Sequence, residues 1–506
     1  MRRANVAITL IGIALLCSAG PARAAELPLA VESFEVSPAE VVLAGPRQRM
    51  QLIVGARFAG SDYDLTHAVS YQSADQAVAT VDSHGVVRPV AQGTTHVAIE
   101  YGLSRQTVDV TVGELADREV SYRYEVLPAL TKAGCNSGKC HGSPNGKGGF
   151  ALSLRAFDPP RDLSVLTRDA GGRRIDPLAP GDSLLLLKAT ARMSHGGGRR
   201  LAPGDPLAAM LADWIAQSAP AGGEEPPAES LEIVPAARRL ELAATSQQLR
   251  VMARFAGGSA RDVTHLAHLS VNLEETAEVS GQGLVTRLAA GEVTVAAGYG
   301  PLHATSQIVF LPPAEGFAWP EAPEQNQIDR LVFERLRELR IMPAALADDG
   351  TFLRRVYLDV CGILPEPSEV REFLSDGSPD KRQRLIDRLL ERPEFADYWA
   401  MKWSDRLGCN QRFVGKTGAL KYHAWIRHQI AANVPEDQLA RTILTASGGN
   451  YGNPPASFYR LPRTAEDRAE HVAQVFLGVR IGCARCHNHP GEAWTQDDYY
   501  ALAAFF

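Results

Sequence analysis

"GVVRPVAQGTTHVAIEYG", residues 85–102, returns further along the chain as "GLVTRLAAGEVTVAAGYG", residues 283–300. Upstream, "ARFAGSDYDLTHAVS" (56–70) returns as "ARFAGGSARDVTHLAHLS" (253–270), which matches Phe58 with Phe255, Thr66 with Thr264, His67 with His265 and Tyr101 with Tyr299. Short alternating runs such as MQLIVGARF and TVDVTV, broken by Gly, Asp and Ser, have the period of two that half-buried strands need. The repeat therefore predicts two small all-β sandwiches, over 30–113 and 228–312. His67 and His265 each follow a threonine at an expected turn. With no second ligand nearby, both read as local hydrogen-bonding residues and not as metal ligands.

Outside the repeats the hydrophobic period becomes helical. "QIDRLVFERLREL" places Ile328, Leu331, Val332, Leu336 and Leu339 on one face, and "DKRQRLIDRLLERPEF" does the same with Leu385, Ile386, Leu389 and Leu390. The Pro- and Gly-bearing joints "SAPAGGEEPPAES" (218–230) and "PPAEGFAWPEAPE" (312–324) mark boundaries. The 506 residues exceed one ordinary core and, at 45% hydrophobic and 22% charged, have the composition of a folded chain. The expected fold class is multidomain α + β: the two sandwiches alternate with two mainly α-helical modules, at 120–219 and 322–506.

The N-terminus, MRRANVAITLIGIALLCSAGPARA, has a basic start, an apolar stretch from Val6 to Leu16 and a small-x-small end at Ala22-Arg23-Ala24. Residues 1–24 read as a Sec signal, which places the mature chain in the periplasm or at the cell surface. The apolar stretch is too short for a membrane span, and none is expected in the mature chain. Removing Arg2, Arg3 and Arg23 from 52 basic residues leaves 49 against 58 acidic ones, a net charge of −9. That sign disfavours nucleic acid as a partner.

Six cysteines remain in the mature chain, and four of them form two pairs each followed directly by histidine. Cys483-Ala-Arg-Cys486-His487 has the C-x-x-C-H form that attaches haem covalently. Two thiols on one turn reach the porphyrin's vinyl groups, and the adjoining imidazole faces the iron. The preceding "TAEDRAEHVAQVFLGVRIG" has a capping-box-like start at Thr464 and Asp467, with Val472, Val475, Phe476 and Val479 on one face. Cys135-Asn-Ser-Gly-Lys-Cys140-His141 is a looser C-x4-C-H, with Gly138 expected to give its loop backbone freedom.

Both sites are therefore read as covalent haem c sites, with His141 and His487 as proximal iron ligands. The second ligand of the first site is expected from Met193 or His195, and the three glycines after His195 favour the histidine. Arg173, Arg174, Arg199 and Arg200 are either bidentate partners of haem propionates or solvated surface arginines. At the second site His489, His471, His423, His428 and Met401 are available. His489 stands two residues beyond His487, which fits a neighbour of the site better than a ligand across the haem. A thioredoxin-like dithiol lacks its βαβ setting, and structural zinc lacks a distant second ligand pair; copper suits the donors and the compartment. Cys361 reads as a buried thiol, and a disulfide with Cys409 stays open.

Both repeats resemble bacterial immunoglobulin-like domains of group 2, through endings of the type "VATVDSHGVVRPVAQGTTHVAIEYG". "TFLRRVYLDVCGILPEPSEVREFL", "YWAMKWSDRLG", "NPPASFYR" and "FLGVRIGCARCHNHPGEAWTQDDYYALAAFF" resemble the large planctomycete cytochrome-c-like surface protein family. "AGCNSGKCHGSPNGKGGFALSLRAFD" with "HGGGRR" is similar to that family's N-terminal cytochrome module. The resemblance implies cytochrome-c-like helical modules, haem ligation through both Cys–His motifs, and a further C-terminal domain in other members. Together these readings describe an exported dihaem protein for single-electron transfer at the cell envelope, with a redox partner that the sequence does not identify. The alternatives are a cell-surface interaction protein with polysaccharide contacts and Cys–His metal sites, or a haem-dependent oxidoreductase.

Overall fold

The structure is a computed structural model that describes residues 31–506 except 59, 116–117, 224, 242–243, 321, 487 and 490–491. The signal reading of residues 1–24 and the ligand reading of His487 lie outside the described residues.

The first repeat forms three small sheets. Ser33–Ser37, Ile53–Phe58 and Ser61–Asp64 pair antiparallel in one. Glu40–Leu43, Ser104–Val112, Gly93–Tyr101 and Ser70–Ser73 follow one another across the second, in which Glu40–Leu43 runs parallel to its neighbour. Met50–Gln51, Val86–Pro89 and Ala79–Val81 make the third. Along Ser104–Val112, Val108, Val110 and Val112 are buried while the residues between them face water, as a sheet with one solvated face dictates. The second repeat reproduces this pairing strand for strand, from Ala228–Val234 to Leu302–Leu311.

The two repeats meet through matched residues. The Gln51 backbone N–H donates to Asp262 Oδ2 at 2.6 Å, and the Gln248 N–H donates to Asp64 Oδ2 in return. Each glutamine side chain also ties down its own repeat: Gln51 Nε2 donates to the Leu52 and His84 carbonyls, and Gln248 Nε2 to those of Leu249 and Gln282. The two threonines play one part, Thr66 Oγ1 accepting from the Val54 N–H and Thr264 Oγ1 from the Val251 N–H. The two histidines have diverged. His67 bonds to His84 at 2.9 Å and, across the joint, to Gln248 Oε1 at 2.9 Å, so its contacts are not local. His265 is half-buried, its enclosed Nδ1 without a hydrogen-bond partner among the described residues, and desolvation holds it well below its usual pKa.

The first helical segment contains Leu127–Lys132, Pro159–Thr167, Leu184–Ala189 and Pro206–Ala216 around the fully buried Trp214, on which Tyr122 stacks at 5.7 Å. Its core is continuous with that of the second repeat. Tyr124 packs edge-on against Phe255 at 5.1 Å, and the Tyr299 hydroxyl donates to the Tyr124 carbonyl at 2.7 Å. Lys132 Nζ donates to the carbonyls of Thr264, Ala267 and Gly281 at 3.0, 2.9 and 2.5 Å. Two of the repeat's landmark aromatics thus hold a neighbouring segment as well as their own sandwich.

The C-terminal helices bury Leu353, Tyr357, Phe373, Leu385 and Leu389 in one cluster and Tyr422, Ile426, Ile443 and Phe458 in a second. Cys361 and Cys409 are both free thiols, which leaves the disulfide unformed. The helix Gln327–Glu338 differs from the expectation of a buried stripe: Ile328, Leu331 and Val332 are exposed. Arg335 with Glu292 and Arg340 with Glu241 pin this end of the chain to the second repeat instead. No helix among the described residues is long and apolar enough to cross a membrane.

Candidate functional site

The loop carrying Cys135, Cys140 and His141 begins where Leu127–Lys132 stops. Gly134, at φ +75°, donates to the Thr131 carbonyl and Cys135 to the Leu130 carbonyl, both at 2.9 Å. These two bonds are the helix-ending motif that favours a left-handed glycine, and they fix Cys135 directly after the helix. The chain then closes on itself through His141 N to the Cys135 carbonyl at 3.0 Å. A Cβ on Gly142 would stand 1.9 Å from the Asn136 carbonyl oxygen, so only glycine permits this closure. Gly138, expected to supply the freedom, is absent from the positive-φ glycines; Gly134, Gly142 and Gly146 carry the constraint.

His141 Nδ1 lies 3.0 Å from the Phe150 carbonyl. A carbonyl only accepts, so Nδ1 holds the proton and Nε2 carries the lone pair. His195 has the same arrangement, with Nδ1 2.8 Å from the Gly198 carbonyl. A Cβ on Gly197 would meet His195 Cε1 at 2.9 Å, so a side chain there would crowd the ring. The two imidazole planes are 8° from parallel, with centres 6.1 Å apart. Two imidazoles with Nε2 lone pairs and two thiols thus line one cavity, a donor set whose chemistry suits haem iron. Met193, the rival ligand, is 42% exposed and is not among the residues lining the cavity that holds His195.

That cavity, of about 550 Å³, is lined by Cys135, Cys140, His141 and His195 together with Phe150, Leu184 and Leu185. Its size lies within the roughly 300–1,000 Å³ range of cofactor and ligand pockets, and its apolar wall suits a flat macrocycle. Burial pushes the Cys135 thiol up to about 11, opposite to the low-pKa thiolate of a redox-active dithiol. Arg200 Nη2 donates to Cys140 Sγ at 3.5 Å. Arg174 fills neither role foreseen for it. It is buried, lies over the Phe150 ring at 4.7 Å, and spends its donors on the Val165, Asp169 and Gly149 carbonyls. Arg173 remains exposed at the rim, where Lys139, Lys147 and Lys188 join it. The part of Phe150 was missed in the sequence, although the flanking "NGKGGF" contains it.

At the second motif, Thr464 caps Ala465–Val472 by accepting from the Asp467 N–H at 3.1 Å. The chain then widens through Ala473–Leu477 and turns at Gly478, φ +70°. Gly482–Arg485 forms a tight turn with Ala484 buried and Cys483 and Cys486 both exposed. Arg485 braces it, 3.2 Å from Asp467 and 3.5 Å from Glu470. Of the proposed second ligands, the His489 N–H donates to the Trp494 carbonyl, His423 bonds to Ser404 Oγ, and Met401 is exposed. His428 lies in the last turn of Lys416–Ala431. His471 packs on Phe458 at 5.0 Å, its buried Nε2 lacking a partner among the described residues.

Comparisons with known proteins cover parts of this chain. Residues 327–506 match the family described as PSCyt2, a protein of unknown function (DUF1549). Residues 67–114 match a Big-like bacterial Ig-like domain. The first repeat is thus immunoglobulin-like, and the second shares its strand order. No curated protein matches the chain. Among solved structures, domains 5-6 of the S-layer protein SbsC are 14% identical with a TM-score of 0.23, over 56% of this chain and 98% of that one. The protocadherin GammaB4 extracellular domain is 10% identical with a TM-score of 0.13, over 56% of this chain and 34% of that one.

Proposed function

We propose that this chain is an exported c-type haem protein that carries single electrons at the cell envelope. The observation that carries the reading is the parallel pair His141 and His195, each with Nδ1 committed to a backbone carbonyl, in a cavity that also holds two free thiols. Cys135 and Cys140 would hold the haem through thioethers, and His141 and His195 would ligate its iron. Bound haem supplies a one-electron ferric–ferrous couple. Phe150, Leu184 and Leu185 would pack against the macrocycle, and the carbonyls of Phe150 and Gly198 keep both imidazoles in the ligating tautomer. Ligation by both histidines would favour electron transfer over an oxidoreductase that binds substrate at the metal. Cys483 and Cys486, exposed on one turn, would hold a second haem, with His487 as its proximal ligand.

Carbon monoxide binding to the reduced protein tests the ligand pair. His195→Ala should gain one equivalent of bound carbon monoxide over the unsubstituted protein. Equal binding by the two proteins would remove His195 from the iron.

A further inference from the structure

The two repeats serve as each other's control, and one row of residues across their four-stranded sheets separates them. In the first repeat Ser70, Glu100 and Arg105 sit side by side on neighbouring strands, and Arg105 pairs with Glu100 at 3.3 Å. The same register in the second repeat holds His268, Gly298 and His303. The carboxylate has gone, and the His303 ring covers the glycine, its Cε1 and Nδ1 each 3.4 Å from where a Cβ would stand. Directly paired residues share one sheet face, so both imidazoles flank one open strip.

This strip forms one wall of a cavity of about 260 Å³ whose other walls come from the first helical segment and from Asn488 of the second motif's loop. Arg123 and Arg155 line it with the two histidines, over a floor that includes Tyr124 and Leu127. Among the described residues, no aspartate or glutamate lines it. Arg155 is held at φ 53°, a left-handed conformation in which a non-glycine residue stores strain and which clusters at ligand sites. Burial lowers the pKa of both His268 and His303, and the Arg155 guanidinium lowers each further.

We infer that this cleft binds a small organic carboxylate, its anionic end between Arg155 and the two histidines and its apolar body on Tyr124 and Leu127. The volume is below the roughly 300–1,000 Å³ of clefts that take drug-sized ligands, which limits the ligand to a compact acid. Neither His141 nor His195 takes part, so the cleft is separate from the first Cys–His site, although its Asn488 wall adjoins the second motif.

Calorimetric titration of the purified full chain with sodium benzoate tests the inference, with inorganic phosphate as a second probe. Saturable benzoate binding is expected, weakened at least tenfold in Arg155→Ala. Gly298→Glu, which restores the carboxylate of the first repeat, should abolish binding without lowering the melting temperature. Absence of saturable benzoate binding, or binding unchanged in both variants, would overturn the inference. Phosphate binding as tight as benzoate would overturn the organic carboxylate as the ligand class.

Discussion

Single residues decide whether the first Cys–His loop can form at all. Gly142 closes over the Asn136 carbonyl with no room for a methyl group. Gly142→Ala is expected to destabilise this segment by about 3 kcal/mol, measurable by denaturant unfolding. His195→Met exchanges an imidazole for a thioether and should raise the midpoint potential of the N-terminal site; a lowered or unchanged potential would argue against ligation from this position. Cys135, Cys140 and His141 were legible as a group because they are close neighbours in the sequence, and the structure sets them with His195 around one cavity. The preference for His195 over Met193 rested on backbone freedom from three glycines; the structure adds that His195, unlike Met193, lines the cavity with His141, and that a Cβ on Gly197 would crowd its ring. The role of Arg174 was not legible, because its three carbonyl partners come from separate turns that only the fold assembles.

At the scale of elements, the repeat revealed both sandwiches, since a period of two and a recurring Thr-His turn survive in local sequence. It could not reveal what each element packs against. Phe58 and Tyr101 lie 6.2 Å apart within the first repeat, whereas their counterparts Phe255 and Tyr299 engage Tyr124 of the helical segment. Lys132 reinforces that seam, its pKa lowered by burial to about 8. Lys132→Met leaves three carbonyls without their donor and should cost about 2–4 kcal/mol, with the second repeat and the helical segment destabilised together. His265 gives the seam between repeats a pH dependence. Its folded pKa lies well below that of the unfolded chain, so the unfolded state alone takes up a proton below about pH 6.5. Stability is complete above that value and is lost as pH falls, by at most ~1.4 kcal/mol per pH unit from this residue. Denaturant titrations between pH 7.5 and 5.5 should show a shallower loss in His265→Leu than in the unsubstituted chain.

Over the whole molecule, the alternation of β and helical segments was readable from the change in hydrophobic period and from the proline-rich joints. Their fusion was not. The first helical segment shares one core with the second repeat, and the repeats exchange backbone-to-carboxylate bonds through Gln51, Asp262, Gln248 and Asp64. Contacts between residues about two hundred positions apart leave no periodic trace in sequence, so the modules were drawn as beads where the structure has a joined body. That shared core also underlies the segment whose loops line the His141–His195 cavity. The central claim is that this cavity carries covalent haem. The most direct test expresses the chain with the cytochrome maturation machinery and measures covalent haem per protein by haem-stained denaturing gel and pyridine haemochrome. Two haems are expected, falling to one in the Cys135→Ala, Cys140→Ala double variant. A protein without covalent haem, or a double variant with an unchanged count, would contradict the claim.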